Sequence, residues 1–127
     1  MGQYKGPERR RYPRITLDKI PVLYQVPAER TKWQRAVTGN AGEGGILLLT
    51  NELLPKDVVI QIEFHLSGRQ PFIITGKVIW GREVKQRTSM FYKQGIEFIK
   101  VTDESAARFR QFLETAGRQV PSTLYFY

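Results

Sequence analysis

A chain of 127 residues, 41% hydrophobic and 25% charged, fits one soluble globular domain with one core and leaves little room for a second. It has no cysteine and no apolar run near the ~20 residues that span a bilayer, which argues against a disulfide framework, thiolate chemistry and membrane insertion. Of the net charge of +8, six units fall before Asn40, where nine Lys and Arg stand against three acids, so an anionic partner is expected at that end.

In chain order, residues 1–8 read as a flexible arm with little to bury, and no signal-peptide core is visible, so a cytoplasmic location is expected. Ile15 and Leu17, then Ile20, Val22, Tyr24 and Val26, alternate with a slip at Asp18-Lys19, which predicts one half-buried strand with a bulge. After a polar turn at Pro27–Arg30, Trp33, Arg35 and Val37 lead a second strand into Thr38-Gly39-Asn40. Gly42 to Gly45 turn the chain. Ile46–Leu49 follows as a third strand, whose unbroken apolarity predicts burial on both faces or a leucine resting on the terminal helix. Val58, Ile60, Ile62 and Phe64 alternate cleanly, and Ser67-Gly68-Arg69-Gln70 signals a hairpin. Phe72–Trp80 makes a fifth strand with a bend expected at Gly76, Arg82–Ser89 a charged hairpin end, and Phe91–Val101 a sixth strand bent at Gly95. Thr102-Asp103-Glu104 then opens a helix whose stripe is Ala106, Phe109, Phe112, Leu113 and Ala116, with Gly117 as its stop. The expected fold is all-β with one C-terminal helix, a six-stranded antiparallel β-barrel over residues 9–117. The aromatic tail 118–127 either packs on the barrel or meets another molecule, a homodimer being one such outcome.

Two stretches carry binding chemistry. Glu8 to Arg14 places four arginines in six positions, and Pro13 holds Tyr12 toward extended geometry. In an extended chain Arg10 and Arg14 project to one side about 13 Å apart. Each guanidinium can fork two parallel hydrogen bonds onto a phosphate or a guanine edge. Asn40 to Gly45 is a glycine-rich turn at which backbone can approach a ligand closely. The plainer readings are a solvated basic arm, an asparagine in the left-handed region, and glycines present for turn geometry alone.

Arg10-x-x-x-Arg14, preceded by Arg9, and Asn40-x-Gly42-x-x-Gly45 resemble the RxxxR and (D/N)xSxxG signature of PilZ domains. Gly76-Lys77-Val78-Ile79-Trp80 and Gly95-Ile96-Glu97-Phe98 resemble that family's two later strand signatures, so the resemblance runs from about Glu8 to Gly117. It implies a six-stranded barrel with a C-terminal helix and a receptor for cyclic di-GMP. By that resemblance Arg9, Arg10 and Arg14 would hold guanine edges and phosphates, with Asn40, Gly42, Gly44 and Gly45 forming the opposite wall. The arm would close over the nucleotide and alter the surface offered to a protein effector. The family's serine is Gly42 here; a lost hydroxyl costs on the order of 1 kcal/mol, so weakened binding is expected.

Two rivals stand beside this reading. One is a PilZ-like interaction module that has lost nucleotide binding. The other is a nucleic-acid-binding barrel, ranked last because the charge lies in an arm and not along an aromatic sheet face. An enzyme is not expected, nor a metal or cofactor. His65 is the only histidine and reads as a structural or surface residue, while Asp57, Glu63, Glu83 and Glu97 are scattered, not paired. Trp33 and Trp80 read as core or rim residues.

Overall fold

The computed structural model describes residues 15–16, 20–42, 44–65 and 68–118. Seven strands and one helix follow in order: β1 (Ile15–Thr16), β2 (Pro21–Gln25), β3 (Gln34–Gly42), β4 (Gly45–Thr50), β5 (Val59–Phe64), β6 (Phe72–Gln86), β7 (Ser89–Phe98) and α1 (Asp103–Arg118). Every pairing is antiparallel, and β3–β2–β5–β6–β7–β4 closes back on β3 as a six-staved barrel.

The strand expected from Ile15 to Val26 is two pieces. Ala41 pairs with Ile15 on one edge and Ile46 on the other, so β1 shares with β2 the edge of β3 turned away from β4. Ile20 bridges the pieces, its amide donating to Thr38 Oγ1 at 3.2 Å while its carbonyl accepts from the Thr38 amide at 2.9 Å. The slip at Asp18-Lys19 lies outside the described residues, as does the tail beyond Arg118.

Period-two alternation decides what faces inward. Val22, Tyr24, Ile46, Leu48, Ile60, Ile62, Phe64, Ile74, Val78 and Ile96 are all buried. In β4 the leucine run is not fully buried on both faces: Ile46 and Leu48 face in, into the core that α1 also enters, whereas Leu47 and Leu49 are half-buried on the outer face, Leu47 seated over Gly39. A register irregularity in β6 falls at Ile79, between the pairs Val78–Ile96 and Trp80–Gly95. A Cβ on Gly76 would meet the Ile96 side chain, so that glycine serves close packing. Strand pairing continues to Gln86–Ser89, lengthening the expected fifth strand into a ribbon.

Opposite physics closes the two ends. At one, Phe109 and Phe112 of α1 meet Phe64, Phe72 and Phe98 with ring centroids 4.9 to 6.4 Å apart. Thr102 caps α1, its Oγ1 accepting from the Ser105 amide at 3.0 Å while Ser105 Oγ accepts from the Thr102 amide at 3.1 Å. The helix extends through Arg118, one residue past the expected stop.

At the other end the fully buried Gln94 amide ties down the segment after β4. Its Nε2 donates to Thr50 Oγ1 (2.6 Å) and the Glu52 carbonyl (3.0 Å), and its Oε1 accepts from the Leu54 amide (2.8 Å). Tyr24 adds a hydrogen bond to Glu52 Oε1 at 2.9 Å. Burial first, then that bond and the carboxylate's charge, push the Tyr24 phenol up.

Candidate functional site

The site is built where β1, β3 and β4 meet. Between Thr38–Leu48 and Ala41–Ile46, β3 spends two residues against one on β4, a bulge that places Gly39 and Asn40 opposite Leu47. Gly39 permits it, since a Cβ there would lie 2.6 Å from Leu47 Cδ2. Asn40 sits half-buried in the bulge and pairs with Thr16. It belongs to a strand and is not among the positive-φ residues Arg30, Asp57, Arg87 and Lys100, so the left-handed turn reading of Asn40 falls.

The glycines past the bulge divide in role. Gly42 pairs with Gly45 to end the β3–β4 ladder. A Cβ on Gly45 would run into the Ile96 carbonyl oxygen, and its φ is not positive, so β4's approach to β7 and not turn conformation requires glycine there. Gly44 is different. It is exposed, nothing lies within 4 Å of where its Cβ would be, and its carbonyl accepts from the Phe98 amide at 3.0 Å. The corner therefore presents a half-buried amide side chain beside almost bare backbone, a surface to which a flat or charged ligand can come close.

Of the residues picked from the sequence, Asn40, Gly42, Gly44 and Gly45 are thus brought together. Arg9, Arg10 and Arg14, with Tyr12, lie outside the described residues. Ile15 directly follows Arg14 and pairs with Ala41, so the chain enters the described fold at this corner.

Two neighbours were passed over in the sequence. One is Gly39, whose only signal was a glycine just before Asn40. The other is Trp80, read as core or rim, which is 43% exposed with its indole lying over Gly95. Pairing of Leu47 with Gly95 and Gly95 with Trp80 makes one outer row running back toward Gly39. Elsewhere, His65 is exposed and hydrogen-bonded to Glu63 Oε1 at 3.1 Å. Among the described residues no group of three or more His, Cys, Asp or Glu is placed to hold a metal ion, and no helix is long and apolar enough to cross a membrane.

The comparisons agree with this architecture. The PilZ domain, of YcgR from Escherichia coli, solved with c-di-GMP, is similar at a TM-score of 0.70 and 18% identity, over 87% of this chain and 93% of that one. The MrkH–c-di-GMP complex of K. pneumonia gives 0.68 and 17%, over 88% and 56%. The Bacillus subtilis inhibitor of motility, MotI/DgrA, gives 0.65 and 18%, over 87% and 51%. The chain thus spans about half the length of the latter two. No curated protein matches it in sequence. The PilZ domain family model matches residues 8–115, most of the chain and both signature segments. The chain belongs to the PilZ domain family.

Proposed function

We propose that this chain is a cyclic di-GMP receptor module. In this reading Arg9, Arg10 and Arg14 clamp the nucleotide against Asn40, Gly42, Gly44 and Gly45, and closure of the arm changes the surface offered to a protein effector. The observation that carries it is the pairing of Ile15–Thr16 with Ala41 and Asn40. A trans peptide fixes consecutive Cα atoms about 3.8 Å apart, so that pairing tethers the arginine segment within reach of the glycine corner. The solved relatives bearing c-di-GMP in their titles support the choice of ligand. Two separated guanidiniums, Arg10 and Arg14, match a ligand with separated guanine and phosphate groups better than a lone phosphate. Ordering the arm consumes part of the gross binding energy, which makes it a switch.

Calorimetry with cyclic di-GMP at low salt tests the reading. Saturable heat is expected at tens of micromolar protein, with Arg10→Ala and Arg14→Ala each weakening binding at least about tenfold, the scale of one charge-assisted bond. Absence of heat sinks it. Gly42, lacking the motif hydroxyl, favours one second reading, an interaction module without nucleotide binding. A stable partner complex indifferent to the nucleotide is its expected signature.

A further inference from the structure

A groove of about 700 Å³ opens on the outer sheet face away from the glycine corner, lined by Pro21, Leu23, Arg35, Val37, Leu49 and Phe91 among others. Directly opposed residues of an antiparallel pair share a face. Leu23 opposes Arg35, Pro21 opposes Val37, Val37 opposes Leu49, Leu49 opposes Lys93, and Lys93 opposes Arg82, so these side chains form one continuous outer surface. The groove itself is mainly apolar, with Arg35 in its lining, and Lys93 and Arg82 continue the same outer face beyond Leu49.

Arg82 and Lys93 sit directly across from each other, an arrangement of like charges that disfavours itself unless an anion lies between them. Among the described residues no carboxylate lies within ion-pair distance of Arg35, Arg82 or Lys93. The acid at the groove's β5 edge, Glu63, opposes Leu23 and is engaged by His65.

We infer that this groove docks an amphipathic acidic segment of another protein, its apolar side chains on Leu23, Val37, Leu49 and Phe91 and its carboxylates on Arg35 and the Lys93–Arg82 pair. The charge pattern selects this occupant over the others. Residues 119–127 of this chain contain no Asp or Glu, so they bring no side-chain carboxylate to Arg35 or to the Lys93–Arg82 pair. A second copy, itself at +8, repels. Single-stranded nucleic acid needs a run of stacking platforms, and among the described lining residues the groove offers the Phe91 ring and the His65 imidazole, the latter engaged by Glu63. The groove is also separate from the glycine corner: Leu49 and Gly45 are four residues apart on β4, about 13 Å. The inference therefore stands whether or not the corner binds a nucleotide.

The test places a photo-cross-linking amino acid at Leu23 or Phe91 of the full chain, with the exposed Val101, past the end of β7, as the control, in cells that natively express it. Cross-links from Leu23 and Phe91 but not Val101 are expected. They should map to one protein's segment bearing net negative charge and a regular apolar stripe. Arg35→Glu with Lys93→Glu should reduce yield at least tenfold with the melting temperature retained, and Arg35→Gln alone should reduce it several-fold. A synthetic peptide of the mapped segment should lose affinity in parallel, while cyclic di-GMP titrations of the double variant match the parent. The inference is overturned by cross-links that run to residues 119–127, to a second copy or to nucleic acid, by a neutral or basic mapped segment, by equal labelling from Val101, or by no cross-link at all. A tenfold change in nucleotide affinity in the double variant also overturns it, by making the groove part of the nucleotide site.

Discussion

The helix-capped end of the barrel and its glycine corner meet at Phe98 yet are built on opposite terms. Phe98 donates its amide to the Gly44 carbonyl and packs its ring edge-on against Phe109, 4.9 Å between centroids. On the helix side, Phe64, Phe109 and Phe112 are buried and mutually packed. On the corner side, Gly39, Gly42, Gly44 and Gly45 leave backbone where side chains would be. The difference teaches a division of labour. The aromatic cap supplies stability and holds the strand ends still, and α1 also packs against β1, which leads out of the arginine segment. Freed from contributing apolar burial, the corner keeps open the surface a ligand needs.

The largest expected effect breaks the cap alone. Phe112→Ala removes a fully buried ring and should cost about 3–5 kcal/mol in denaturant unfolding. Measured on the folded fraction, its cyclic di-GMP affinity should match the parent. A loss of affinity equal to that of Arg14→Ala would show that cap and corner are one unit. Gly45→Ala is the substitution that crosses the boundary. Its Cβ is driven toward the Ile96 carbonyl oxygen, a backbone atom that cannot turn aside, so a destabilisation of about 1–3 kcal/mol is expected, as for overpacking. Gly44→Ala meets no atom and is the paired control for crowding.

How far each region could be read in advance follows from the same division. The cap was legible because burial leaves a period: Phe109, Phe112 and Leu113 recur at helical spacing, and Ile60, Ile62 and Phe64 at strand spacing. Asn40 to Gly45 was legible as a motif but not as geometry. Nothing in its spacing tells that Asn40 sits in a bulge, which is set by the register of β3 against β4, or that Gly45 answers to Ile96 and Glu97 of β7, far along the chain. The bulge at Ile79 likewise left no sequence signal, since it is set by the register of β6 against β7 and not by any residue type. The Gln94 latch left no sequence signal, since a glutamine among Lys93, Gly95 and aromatics looks like surface until its partners at Thr50 and Leu54 are in place.

The Tyr24 end of the barrel offers a smaller probe, remote from both regions. Folding raises the Tyr24 phenol above its ordinary value of about 10, so its contribution is fully present below pH 10 and is lost as pH rises past it. Tyr24→Phe should cost about 1 kcal/mol at pH 7, one hydrogen bond, and should flatten the decline in stability that the parent shows above pH 10. Nucleotide affinity at pH 7 should not move. If it does, the latch end is coupled to the corner through β3 and the separation drawn above is too sharp.

The smallest expected effect is the most informative about the corner. Gly42→Ser returns the family's hydroxyl to the last paired residue of β3, beside the Gly45 it faces. Gly42 is half-buried in an extended strand, where serine pays no left-handed penalty, so the melting temperature should stay near the parent's. A hydroxyl that reaches the ligand contributes on the order of 1 kcal/mol, so cyclic di-GMP should bind several-fold tighter. Asn40→Ala in the same background should cancel the gain if the two side chains share one wall, because a hydroxyl held beside a missing partner is no longer oriented. Tighter binding that survives Asn40→Ala would place the serine's contact elsewhere on the nucleotide. An affinity unchanged by Gly42→Ser, in a protein that does bind through Arg10 and Arg14, would mean that the bare backbone of the corner, and not its side chains, is what the nucleotide rests on.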